Sequence, residues 1–249
     1  MHGALHGGEG QAYLLRTASG EVRSTLRTCG VPMVGVGRRS SLETPMMRAS
    51  EQSPRMFQSD FIDLFSRTPW WTVPLLWIPG TIAFFAIGLH RGVGVVPSIG
   101  LWLTGYVLWG LTEYVLHRTA FHWVPDTSWG ERYHFFVHGV HHQWHWDKYR
   151  LVMPPAVSLT LCVVFMALFR AAFGPLLMWP LFSGFVFGYC VYDCMHYAQH
   201  HSRIRWKWFV KLKAHHMSHH HNKKYQDLRF GVSTMFWDRV FGTMEPRER

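Results

Sequence analysis

Four long runs without a charged residue divide an otherwise polar chain: 69–89, 92–112, 151–169 and 171–192. Each holds 19 to 22 residues, and about 20 apolar residues in a helix cross the hydrocarbon core of a bilayer. One such run is compatible with a buried helix of a large soluble core; four in one short chain predict transmembrane helices. Pro74, Pro79, Pro97, Pro175 and Pro180 lie within them, and proline is tolerated in membrane helices. Only His90 and Arg91 separate the first two runs, and only Arg170 the second two. Each pair therefore reads as a hairpin, with both chain ends and the 113–150 segment on one side. That side carries 23 of the 25 Lys and Arg, and the positive-inside rule places it in the cytosol. The expected fold is an all-α integral membrane protein: four transmembrane helices in two hairpins with a cytosolic His-rich helical cap, built from 113–150 and 193–249. Trp70 and Trp71 at the edge of the first run suit an interfacial belt or the core.

Composition sharpens this reading. Charged residues make up 16% of the 249, against about 25% in soluble domains. The net charge of +10 suits nucleic acid or anionic headgroups, but its concentration on one side of the runs makes it a mark of topology. Cys29, Cys162, Cys190 and Cys194 form no CxxC pair, so neither a disulfide framework nor a thiolate zinc site is expected. Residues 1–50 are rich in Ser, Thr, Gly and Arg without sustained periodicity. They read as a disordered N-terminal tail, with an organelle transit peptide as the alternative. Residues 51–249 form the membrane domain.

The histidines carry the candidate chemistry. Fifteen of the 18 fall between His117 and His221. His117 and His122 make HxxxxH; His138, His141 and His142 make HxxHH. His196 and His200 make HxxxH; His216, His219 and His220 make a second HxxHH. Offsets of three and four share a helical face. Adjacent His, about 100° apart, reach two different metals. Imidazole ligates iron, zinc, copper and nickel, and ten rings are too many for one ion but suit two. Short loops before His117 and His196 are expected to hold the metals near the bilayer surface. His134, His145, His201, His215 and His221 are ambiguous neighbours; His2, His6 and His90 fall outside the pattern. Glu113, Asp126, Glu131, Asp147, Asp193, Asp227 and Asp238 are candidates for orienting His rings, or for surface and capping roles. No catalytic side chain is expected beyond the dimetal centre. The sequence has no HExxH, no GxSxG elbow and no P-loop.

These motifs resemble the membrane fatty acid 2-hydroxylases. EYVLHRTAFH (113–122), HFFVHGVHHQWHWDKYRLVMPP (134–155), YDCMHYAQHH (192–201) and HHMSHHH (215–221) are similar to that family's four histidine segments. FGVSTMFWDRVFGT (230–243) resembles its closing segment and PRMFQSDFIDLFSRTPWW (54–71) its approach to the first span. The HxxHH boxes are shared with sterol oxidases, desaturases and carotenoid hydroxylases, while DKYRLVMPP with FWDRVFGT is more specific. The resemblance implies a hydroxylase domain over 51–249 in the endoplasmic reticulum membrane, both termini cytosolic. It implies O2-dependent hydroxylation at carbon 2 of a long acyl chain of a sphingolipid or its precursor. It also implies two iron ions, replaceable by zinc on purification, on His117, His122, His138, His141, His142, His196, His200, His216, His219 and His220. No HPGG haem signature is present, as in plant-type members, so electrons are expected from a separate cytochrome b5 and its reductase. The alternatives are a related histidine-box lipid or sterol oxygenase or desaturase, and a membrane metal-binding or transport protein. Transport usually needs polar residues within spans, and the four runs have neither a charged residue nor a His.

Overall fold

A computed structural model describes residues 56–246. The 1–50 segment, read above as a tail, lies outside the described residues. Among the described residues the regular elements are helices, with no strand.

A short helix α1 (Asp60–Phe65) is followed by α2 (Thr72–His90) and α3 (Val95–Leu116). A π-helical turn, His117–Phe121, extends α3. Thr127 then caps α4 (Ser128–His134) by accepting from the Gly130 N–H at 3.2 Å, as short hydroxyl side chains do at helix starts. A second π-helical turn, Phe135–Gly139, links α4 to α5 (Val140–Gln143). The chain continues as α6 (Pro155–His201), α7 (Lys207–His221) and α8 (Phe236–Val240).

Three of these helical stretches, Thr72–His90, Val95–Phe121 and Pro155–His201, are long and apolar enough to cross a membrane. Their outer surfaces are apolar: Val96 is 80% exposed and Leu75 66%. A soluble protein would put polar side chains there.

The sequence reading divides the second half of the chain at Arg170. The structure keeps Arg170 helical and breaks α6 at Gly174, with φ 74° and ψ 174°, just before Pro175. Only glycine adopts that backbone readily, and the following proline disfavours a helical conformation at 174. The break folds α6 back on itself. Phe165 and Phe185 have ring centroids 5.0 Å apart, and Phe169 and Phe182 5.2 Å, whereas 20 residues of straight helix span about 30 Å. The four apolar runs thus appear as three helices, the last one bent.

The second arm of α6 packs against α2 and α3. A Cβ on Gly105 of α3 would overlap the Leu181 carbonyl, and one on Gly184 would overlap that of Trp102. Small residues therefore set this close crossing, as they do between membrane helices. Trp109 packs edge-on against Phe185 and Tyr189, at 5.1 and 5.3 Å. Ser183 donates to the Thr81 carbonyl at 2.7 Å, joining α6 to α2. Near the His-bearing end, Arg150 clamps the 144–154 loop to α1. It donates to Asp63 at 2.9 Å and to the Ser66 hydroxyl at 2.6 Å, and Thr68 N–H donates to the Tyr149 carbonyl at 2.7 Å.

Candidate metal centre

Each His pair is placed by helix geometry. Residues five apart on an α-helix point about 140° away from each other, which would splay His117 and His122. The π-helical turn at His117–Phe121 has i→i+5 bonding and returns both rings to one side. The loops expected before His117 and His196 are absent: His117 closes α3 without interruption and His196 sits inside α6. Continuous helix is stiffer than loop, so the spans themselves position these rings. His196 with His200, His138 with His142 and His216 with His220 are spaced by four and share faces.

The ten rings converge in two groups of five. His117, His122, His138, His142 and His219 form one; His141, His196, His200, His216 and His220 form the other. In each, the five candidate ligand nitrogens lie within 4.8 Å of one another. In the first group, Nε2 of His138 is 3.1 Å from Nε2 of His117 and 2.8 Å from that of His142, and His122 meets His219 at 3.1 Å. In the second, Nε2 of His141 is 2.9 Å from that of His196 and 3.1 Å from that of His220, and His216 is 3.0 Å from both His200 and His220. Neighbours in sequence part company: His141 and His142 face different groups, as do His219 and His220. The groups touch, with the His142 and His220 rings 4.2 Å apart.

The donor set fits metal ions. His117 Nδ1 lies 2.5 Å from the Phe230 carbonyl and His219 Nδ1 2.8 Å from that of Leu228. A carbonyl only accepts, so Nδ1 carries the proton and the Nε2 lone pair points into the group. Burial, reinforced by neighbouring rings, pushes His138, His141, His142, His216 and His220 well below the ordinary histidine value, and His122 down to about 3. Neutral imidazoles at neutral pH are the ligand form.

Carboxylates do not orient these rings in the way the sequence suggests. Asp193 accepts from Met153 N–H and the Tyr189 hydroxyl, both at 3.0 Å. Glu113 and Asp238 act one step further out, on the backbone that supplies the carbonyls. Asp238 accepts from Phe230 and Gly231 N–H at 2.9 and 2.8 Å and from Thr243 at 2.7 Å. Glu113 accepts from Val232 and Ser233 N–H at 2.7 and 2.8 Å, and from the Ser233 hydroxyl. Sequence reasoning missed the Phe230 and Leu228 carbonyls, because any residue supplies one. No sequence signal marks them.

The ambiguous histidines lie outside both groups. His215 bonds Asp238 at 2.9 Å, His201 packs on Tyr197, and His145 packs on His221. His90 is exposed at the end of α2, and His2 and His6 lie outside the described residues.

A cavity of about 910 Å³ opens beside the groups, with His138, His141 and His196 in its wall. Its sides are apolar, from residues such as Leu161, Phe165, Phe182 and Phe185. Tyr192 and Asp193 adjoin His196 in the same wall. The volume falls at the upper end of ligand cavities, about 300–1,000 Å³.

The sequence profile of the fatty acid hydroxylase family matches residues 102–243. A dihydroceramide fatty acyl 2-hydroxylase of Arabidopsis thaliana is 36% identical over 196 residues, covering 79% of this chain and 82% of its own. A ceramide very long chain fatty acid hydroxylase of Saccharomyces cerevisiae is 39% identical over 187 residues, 74% of this chain and 48% of the yeast protein. A solved structure of full-length Scs7p, with only its hydroxylase domain visible, superposes with a TM-score of 0.69 at 39% identity. It covers 74% of this chain and 69% of that one.

Proposed function

This chain belongs to the fatty acid hydroxylase family, and from that premise we propose that it hydroxylates carbon 2 of a long acyl chain of a sphingolipid or its precursor. One observation carries the choice of substrate: a largely apolar cavity of about 910 Å³ has His138, of one histidine group, and His141 and His196, of the other, in its wall. The two groups of five would hold two irons. When bound, these would supply the O2 activation and electron transfer that no side chain provides. The reaction consumes O2, two electrons and two protons. One oxygen atom enters the product as hydroxyl and the other leaves as water.

The residues of the chain do the rest. Phe165, Phe182 and Phe185 offer the acyl tail an apolar wall, stabilising it by about 0.8 kcal/mol per buried methylene. The same wall excludes water from the His138–His141–His196 end. Tail burial fixes how far the chain reaches, and so which carbon lies at the histidines. The Phe230 and Leu228 carbonyls hold His117 and His219 in the metal-binding tautomer. Zinc on purified protein is expected, since imidazole sites prefer it to ferrous iron.

We assign the topology as four spans in two hairpins, with Gly174 at the second turn. The His-bearing end and both termini face the cytosol of the endoplasmic reticulum. Electrons come from a separate cytochrome b5 and its reductase.

The test supplies iron-loaded protein with reduced cytochrome b5, isotopically heavy O2 and a long-chain ceramide or fatty acid. Heavy-oxygen label in a 2-hydroxy product is expected. Label in a sterol or at a mid-chain carbon would reassign the substrate, and product surviving the double change His138→Ala and His141→Ala would overturn the reading.

A further inference from the structure

Beyond the ten converging rings, a second aromatic array leads from the surface to the second group, the one holding His200 and His220. His145, half-buried, has its ring centroid 6.3 Å from His200 and 6.2 Å from His220. On its outer side it packs against exposed Trp146 at 4.9 Å and exposed His221 at 4.5 Å. Trp146 is 45% exposed and Trp144 38%. The exposed ionisable residues of the two contributing segments, 143–149 and 221–224, are Tyr149, His221, Lys148, Lys223 and Lys224; Asp147, the carboxylate among them, is buried beside Arg150 at 3.7 Å. Glu245 sits near Lys224 and pairs with Arg229. The 118–134 segment, which carries His122 of the first group, differs. Its exposed charges are mixed: Arg118, Asp126, Glu131 and Arg132.

We propose that the face made by Trp146, His145, His221, Lys148 and Lys223 is where an acidic one-electron carrier protein docks to reduce the centre. The inference rests on the hydroxylase reading, because that reaction draws two electrons from outside the chain. Two reduced carriers each give up one electron per turnover. O2 is the oxidant, and two protons leave with one of its oxygen atoms as water. The face fits this task in three ways. It places the carrier against the rings that border His200 and His220. Exposed tryptophan is a common interface anchor, and the lysines that flank it in sequence complement an acidic partner in charge. Redox encounters are small and transient, and charge steers them.

The experiment uses the full chain in nanodiscs, with the soluble haem domain of cytochrome b5 as probe. Binding to metal-free protein is measured first, so that the readout does not depend on turnover. Wild-type binding is expected to weaken as salt rises. The double reversal Lys148→Glu and Lys223→Glu is expected to weaken it at least tenfold at low salt, and Arg132→Glu on the mixed 118–134 segment to leave it within twofold. In iron-loaded protein, the ratio of carrier-driven to dithionite-driven turnover is expected to fall in the same double variant. Binding unchanged by the double reversal overturns the proposal. So does a loss of product that is equal with both reductants, or an effect seen only when the nanodisc lipid is switched from zwitterionic to anionic. If wild-type protein makes no product with either reductant, the hydroxylase reading fails, and the binding arm still decides the docking face.

Discussion

Asp63 and Asp238 show how buried carboxylates serve this protein without touching a metal group. Burial works to raise the Asp63 carboxyl. The Met56 N–H, the Arg150 guanidinium, the Phe57 N–H and Arg67 outweigh it and hold the group well below the usual carboxylate range. A depressed folded-state value stabilises the fold fully above the unfolded carboxylate's value of about 4, and that contribution declines as pH falls below it. Thermal midpoints are therefore expected to drop on acidification below about pH 4, and Asp63→Asn to flatten that acid limb while lowering the midpoint at neutral pH. Asp238→Asn weakens the bonds that hold the Phe230 and Gly231 N–H groups, and through them the carbonyl on His117. Outer-shell changes of this kind cost about 10–100-fold in metal affinity. About tenfold is expected here, since Asp238 acts through the backbone; chelator competition measures it. Eight of the ten His were legible as residues because their spacings of three and four repeat the helical period, and His117 and His122, five apart, because their segment resembles a family histidine box. Their partners were not, because a carbonyl partner leaves no mark in a sequence.

At the scale of elements, apolar runs located the starts of the long helices within a few residues, but not their breaks, nor the end of α6, which runs on to His201 past the last run's end at 192. Arg170 marks a polar interruption and nothing more, since a single exposed charge near the end of an apolar run does not stop a helix. Gly174 and Pro175 stop it by backbone geometry. Gly174→Ala places a Cβ in a conformation almost confined to glycine, at about 1–3 kcal/mol. A lowered thermal midpoint with unchanged helical circular dichroism is the expected outcome, and a midpoint unmoved or raised would count against the turn. The π-helical turns at His117–Phe121 and Phe135–Gly139 were equally illegible. An HxxxxH spacing reads as two faces of an α-helix until a widened turn brings them together.

For the whole molecule, the expectation is that the two His groups act as a staple between α3, α5, α6 and α7. A ligand that binds only the folded state stabilises it by about 2.7 kcal/mol per site at a hundredfold excess over Kd. Chelation is expected to lower the thermal midpoint and added metal to restore it. Protein with His138→Ala and His141→Ala, one ring from each group, should respond far less.

The sequence by itself determined the helical class, the apolar lengths suited to a bilayer, the ten histidines and the resemblance to a hydroxylase family. These properties follow from composition and from periods of three and four along one chain. Only the tertiary structure decided how ten rings divide into two groups of five, and which backbone carbonyls fix their tautomers. It also decided where α6 turns, and that a cavity of about 910 Å³ has His138, His141 and His196 in its wall. Each of these joins residues far apart in the chain: His117 meets Phe230 across 113 positions and His141 meets His220 across 79. Such contacts depend on close packing of whole helices in three dimensions, which no local pattern encodes.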